Sequence, residues 1–226
     1  SGLPASKLVT ILNGVDENRF RSNSEARARI RTELGIEDAD ILVGNVGSIT
    51  TRKAHWILVK AIAPLIREGF RIQVRVWGTN TKNPQHAEAE LLSMIDSEGV
   101  AEQVKLLPPR RDIEDVYNSM DIHCMTSIAE GLSLASVEAM MCGVLPVYSD
   151  IGPFREVVED GVNGFLFRNG DPGHLETVLR NILSDRDHGP AHENIARSAV
   201  SRFSLKRMDD EYAHIYGRIS MHADYC

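Results

Sequence analysis

Residues 121–149, DIHCMTSIAEGLSLASVEAMMCGVLPVYS, decide how this chain folds. Two short apolar runs, DIHCMT (121–126) and VLPVYS (144–149), enclose a polar turn and a segment, Ser133–Cys142, whose apolar residues recur at helical spacing. Neither run alternates strictly between apolar and polar, as expected of parallel strands covered on both faces. The same reading extends outward to ILVGNVG (41–47), IQVRVW (72–77), VKLL (104–107) and GFLF (164–167). Helical patterns over 54–68, 84–98, 112–120, 171–183 and 205–216 separate or follow them. Alternating strands and helices predict right-handed crossovers. The expected fold is an α/β, doubly wound, mostly parallel sheet of six strands with helices on both faces.

Composition narrows the function classes. The chain has 226 residues, 42% hydrophobic and 25% charged, enough for a sizeable core and an ordinary globular surface. A formal net charge of -7 argues against a nucleic-acid surface, which needs clustered Lys and Arg. No apolar run approaches the roughly 20 residues of a membrane span. Ser1 opens onto a short polar lead, so no signal peptide is expected. Of the three cysteines, Cys124 and Cys142 lie in apolar stretches and read as buried thiols of a reducing, cytoplasmic compartment, with Cys226 left over.

On such a sheet a ligand binds in the crevice beyond the carboxyl ends of the strands. Three polar or glycine-bearing segments fall there: GSITTRK (47–53), PPRRDI (108–113) and SIAEGLS (127–133). Ser133 is a favourable helix N-cap, so the turn before it offers free backbone N–H groups and the positive end of a helix dipole to a phosphate. Gly131 lets the backbone approach a ligand closely. Leu134, Val137 and Met141 mark an apolar helix face with Glu138 at its edge, where a carboxylate can accept hydrogen bonds from two neighbouring hydroxyls, as in a ribose. Glu130 would point into the crevice beside the anion. Taken alone, each acid has a plainer reading: Glu130 as a solvated loop residue, Glu138 as a structural partner of Arg110, Arg111 or Arg155.

The stretch EGLSLASVEAMMCGVLPVYSDIGPFREVVEDGVNGFLF (130–167) resembles the donor-binding signature of the family 4 glycosyltransferases, retaining enzymes of the two-domain GT-B fold. ILNGVDENRF (11–20) is similar to the segment that opens the carboxyl-terminal domain of that family. DVYNSMDIHCMTS (115–127) and FSLKRMDDEYAHIY (203–216) continue the likeness over nearly the whole chain. The resemblance implies a Rossmann-like half of a GT-B fold, divided into a linker (1–20), a donor-binding domain (21–203) and a carboxyl-terminal helix and tail (204–226). It implies that Glu130 contacts hydroxyls of the transferred sugar, that Glu138 binds the ribose, and that amides of Gly131, Leu132, Ser133 and Leu134 hold the distal phosphate. Backbone of the loop at Arg111, Asp112 and Ile113 would meet the base.

Relatives neutralise the diphosphate with a pattern like G-R-L-x-x-x-K-G. Here it reads GSITTRKA (47–54): Lys53 matches the lysine, Ser48 stands where the arginine belongs and Ala54 replaces the glycine. A serine supplies no cation to the departing phosphate. Arg52 is the neighbouring replacement, and Lys53 and Glu130 are the expected catalytic pair. A second departure is Asn80 in VWGTNTKNP (76–84), where relatives often carry G-x-G-P. Trp77 reads as core.

Other chemistries fit poorly. GNVGSI is not the G-x-G-x-x-G of a nicotinamide site, and no G-x-S-x-G elbow is present. The eight histidines lack metal-ligand spacing, so neither metal nor cofactor is expected beyond a nucleotide diphosphate sugar substrate. His123 reads as a core residue, and His55 lies near the crevice. The expected function is the donor half of a retaining glycosyltransferase, inactive without its amino-terminal, acceptor-binding half, through which any membrane contact would be made. The alternative is a non-catalytic sugar-nucleotide-binding or structural module.

Overall fold

The computed structural model describes residues 4, 8–78, 86–185 and 189–223, with side chains through 218. Six strands form one parallel sheet: β1 (Ile41–Val46), β2 (Ile72–Trp77), β3 (Val104–Leu107), β4 (Ile122–Met125), β5 (Leu145–Ser149) and β6 (Phe165–Phe167). Their order is β3-β2-β1-β4-β5-β6, and every pairing is parallel. All six expected strands are present, each end within one residue of its expected position.

Two buried clusters cover the two faces. One joins α2 (His55–Arg67), α3 (His86–Ser97) and α7 (Pro172–Ser184) to the sheet, with Ile57, Ala61, Leu65, Leu91, Ile95 and Leu179 almost without solvent contact. The other gathers α4 (Ile113–Ser119), α5 (Leu134–Met141) and α8 (His192–Phe203) around Tyr117, Val137, Tyr148, Phe154 and Phe203. Trp77, at the end of β2, belongs to this second core, and Cys124 and Cys142 are buried free thiols.

Three helices escape the sequence reading: α1 (Ser24–Leu34), the single turn α6 (Gly152–Arg155) and α8. Helix α1 is mostly polar, with only Ala26, Ile30 and Arg31 buried, so its apolar stripe is too thin to read. It has sound caps nonetheless. Asn23 accepts from the N–H groups of Glu25 and Ala26, and Gly35 closes the end at φ 65°. The expected start of α3 at Pro84 lies outside the described residues, as do Asn80 and Cys226.

The amino-terminal segment is tied to the carboxyl-terminal helix α9 (Leu205–Ala223). Val15 N–H donates to Phe203 O, Leu205 N–H donates to Val15 O, and Val15 bridges Ser204. Arg207 donates to Leu12 O at 2.6 Å. The segment 12–15 therefore meets the start of α9. No described helix is long and apolar enough to cross a membrane.

Candidate functional site

The chain reverses its direction across the sheet between β1 and β4, which are neighbours in space and distant in sequence. Such a switch point opens a crevice between the loops that leave the two strands. Here those loops are stitched together. Ile128 N–H donates to Arg52 O at 3.0 Å, and Thr126 Oγ1 donates to Lys53 O at 2.9 Å.

Lys53 and Arg52 lie in a short 3₁₀ turn, Thr51–Lys53. Lys53 Nζ sits 2.6 Å from Glu130 Oε1, and Arg52 reaches Glu130 Oε2 at 3.3 Å and Ala129 O at 3.1 Å. Ser127 Oγ donates to Glu130 Oε1 at 2.8 Å. With its side chain only 8% exposed, Glu130 is no solvated loop residue. Burial alone would raise its proton affinity, but the hydrogen bonds from Lys53 and Ser127 and the two positive charges outweigh it and hold the carboxyl below its ordinary value.

The floor beneath Lys53 is glycine. A Cβ on Gly47 would lie 3.6 Å from Lys53 Nζ, and one on Gly78 would collide with Gly47 O at 2.1 Å. Gly78 is therefore required by the contact between the loops after β1 and β2. Ser48 is exposed. Ala54 has φ 47° and ψ 43°, so an alanine occupies backbone space that favours glycine.

His55, at the start of α2, is buried, and its Nδ1 has no hydrogen-bond partner among the described residues. Asn45 donates to Cys124 O at 2.6 Å and accepts from His55 Nε2 at 3.0 Å, which leaves the proton on Nε2. Burial, with help from the Lys53 charge, lowers its pKa to about 4. His123, in β4, is fully buried and lowered to about 3 by the same two causes.

On the far side of the turn, Ser133 occupies the N-cap position of α5, but its side chain caps nothing. Its hydroxyl contacts Met125 Sδ at 3.7 Å instead, so the first amides of α5 are not satisfied by a capping side chain. Gly131 is exposed, and a Cβ there would meet nothing within 4 Å; packing does not demand this glycine. Leu132 packs against the second core, whereas Leu134 is 40% exposed rather than part of the apolar face expected for it. At the start of α5 Leu134 projects, while Ser136 and Val137 are fully buried.

Glu138 is half-buried and makes no ion pair among the described residues. Arg110 is taken by Glu33 and Asp112, and Arg155 by Asp150, while Arg111 is exposed. Its partner is Tyr117, whose Oη donates to Oε2 at 2.9 Å. Burial raises the proton affinity of Glu138, and the Tyr117 hydrogen bond and the charge of Arg19 offset this only in part. Arg19 belongs to the amino-terminal segment. It pairs with Glu114 at 2.7 Å and donates to Arg111 O at 3.3 Å, so it links that segment to the loop of Arg111, Asp112 and Ile113. The Asp112 carboxylate is committed to Arg110 at 2.8 Å, and Ile113 packs on the second core. Arg111 offers this loop an exposed side chain with no ion pair among the described residues. Tyr117, Ser127 and Arg19 escape sequence reasoning, because their partners lie in other elements.

The profile of the family described as "Glycosyl transferases group 1" matches residues 26–202. This chain belongs to that family. A D-inositol 3-phosphate glycosyltransferase of Mycobacterium sp. (strain JLS) is 32% identical over 218 residues, which are 94% of this chain and 47% of the relative. The group 1 domain thus spans about half the length of the curated relatives it matches. Among solved structures, Anabaena Alr3699/HepE in complex with UDP and glucose superposes with a TM-score of 0.85 at 26% identity, over 96% of this chain and 59% of that one. The C-terminal domain of a glycosyl transferase group 1 family protein from Francisella tularensis has the same fold: TM-score 0.72 at 20% identity, covering 85% of this chain and 100% of that chain.

Proposed function

We propose that this group 1 domain is the donor-binding half of a retaining, family 4 glycosyltransferase that takes a nucleotide diphosphate sugar. The observation that carries the reading is the pairing of Lys53 and Arg52 with Glu130 beside the uncapped start of α5. Two cations and a row of free amides stand around one turn, an arrangement that attracts a diphosphate. Arg52 takes the place of the arginine missing at Ser48. Glu130 then exchanges its contact with Lys53 for the hydroxyls of the incoming sugar while the phosphates take up the cations. Lys53 stabilises the charge that grows on the departing phosphate.

Along the crevice the order would be base on the loop of Arg111, Asp112 and Ile113, ribose on Glu138, and diphosphate on the amides from Gly131 to Leu134 with Ser48 at the margin. The sugar would lie beside Glu130. The Anabaena neighbour carries UDP and glucose, which makes UDP the first nucleotide to test. The acceptor would be held by sequence beyond these 226 residues, consistent with relatives twice as long. Exposed Ile128 and Leu134 beside the turn suit contact with such a half. The reaction needs no metal on this reading, and the place of action is the cytoplasm.

UDP, GDP and ADP titrated against the chain test the reading through its melting temperature. At a ligand concentration of 100 times Kd, one nucleotide should add about 2.7 kcal/mol of stability. Lack of response to all three would sink the proposal.

A further inference from the structure

Tyr117 is fully buried, and a buried phenol needs an acceptor. It finds one in Glu138, at 2.9 Å from Oε2. Its ring is wedged in place, 6.1 Å from Phe20 and 5.6 Å from His123, the latter edge-on. Beyond His123 stands a second buried tyrosine, Tyr148, which donates to Ser136 O at 3.3 Å and accepts from His123 Nδ1 at 2.9 Å. Two tyrosines thus grip the same helix, α5. One holds its backbone, and the other holds the acid.

We propose that Tyr117 is a positioning residue of the nucleotide site: its hydroxyl pins Oε2 of Glu138 so that Oε1 is left to accept from the paired hydroxyls of a ribose. Among the described residues, Oε1 accepts no hydrogen bond. The inference rests on the donor-binding reading above and adds to it the group that sets the carboxylate. A free glutamate samples several rotamers, and fixing it in advance removes part of the ordering cost of binding.

The same contact controls the charge of Glu138. The groups that act on it are Tyr117 and Glu114 from α4 and Arg19 from the amino-terminal segment, while burial, with Glu138 adding to it, pushes up the thiol of Cys142, the residue that follows α5. Burial and Glu114 favour the protonated form, and Tyr117 and Arg19 oppose them. Without the phenol the carboxyl takes its proton at higher pH and offers the ribose a poorer acceptor.

UDP binding to the chain, measured by calorimetry across about pH 5 to 8, tests this in wild type, Tyr117→Phe and Tyr148→Phe. Each variant loses one hydroxyl and keeps its ring. Tyr117→Phe is expected to bind UDP about tenfold more weakly at neutral pH, with the acid limb of its binding profile moved upward. Tyr148→Phe should melt earlier than wild type yet keep the wild-type affinity and profile. Equal affinity and equal profiles for Tyr117→Phe and wild type would overturn the inference while leaving the donor site intact. A wild type that binds none of the three nucleotides overturns the donor reading itself. If Tyr117→Phe does not fold, Glu138→Gln serves: it keeps an acceptor for Tyr117 but cannot titrate. Loss of the acid limb in this variant supports the inference, and an unchanged limb overturns it.

Discussion

Glu130 and Glu138 begin as the same side chain and end with opposite proton affinities. Glu130 stands among Lys53, Arg52 and Ser127. Glu138 stands against Tyr117 and the aromatic run to His123 and Tyr148, with no ion pair among the described residues. Burial pushes both acids upward. Only on the β1 side do charges reverse it.

The largest expected effect is on the background common to both regions. His55 and His123 are buried and neutral, with pKa values near 4 and 3, below the usual 6.5. Unfolding at acid pH releases them to take protons, so the stability they supply is complete above about pH 6.5 and drains as pH falls through their folded values. Urea midpoints should fall by several kcal/mol equivalent between about pH 6.5 and 4. A flat profile would mean that neither ring is sealed from water.

Lys53→Ala attacks the cation-rich side. It leaves Glu130 half-compensated by Arg52 and Ser127, and should cost about 2 kcal/mol in urea denaturation at pH 7. The carboxyl of Glu130 is depressed, so its paired form supplies stability above the ordinary carboxylate range that fades as pH falls through the folded value. The cost of Lys53→Ala must shrink in the same direction. A cost that stays constant into acid would break the contrast.

Glu138→Ala tests the aromatic side. It should weaken the best nucleotide about tenfold by calorimetry and cost about 1 kcal/mol of stability, because the Tyr117 hydroxyl loses its acceptor. Arg52→Ala, at an exposed cation, should change stability by less than about 1 kcal/mol while reducing diphosphate affinity. The smallest effect belongs to Ala54→Gly. Relief of the left-handed backbone, about 1 to 2 kcal/mol, is offset by lost burial and a freer unfolded chain. The net should lie within about 0.5 kcal/mol, whereas Ala61→Gly inside α2 should cost about 1 kcal/mol or more.

Much of this was legible in order of residues alone. Apolar runs without alternation gave the parallel strands, because a strand covered on both faces cannot carry a polar side. The turn SIAEGLS and the lysine of GSITTRKA were readable, because loops at strand ends carry the ligand chemistry on such a sheet. Helix α1 was not, since its few buried residues make no stripe. Leu134 was misplaced for a related reason: periodicity locates the face of a helix but not where along its length the core begins.

By itself the sequence determined the six strands, the crevice beyond their carboxyl ends and the candidate acids, because these depend on patterns within a few tens of residues. Tertiary structure alone decided that Arg52 and Lys53 converge on one carboxylate and that Tyr117 holds the other. Tyr117 and Glu138 are 21 residues apart, and Lys53 and Glu130 lie on loops from different strands. A hydrogen bond or ion pair depends on distances of about 3 Å, and only the packed sheet brings such distant residues that close.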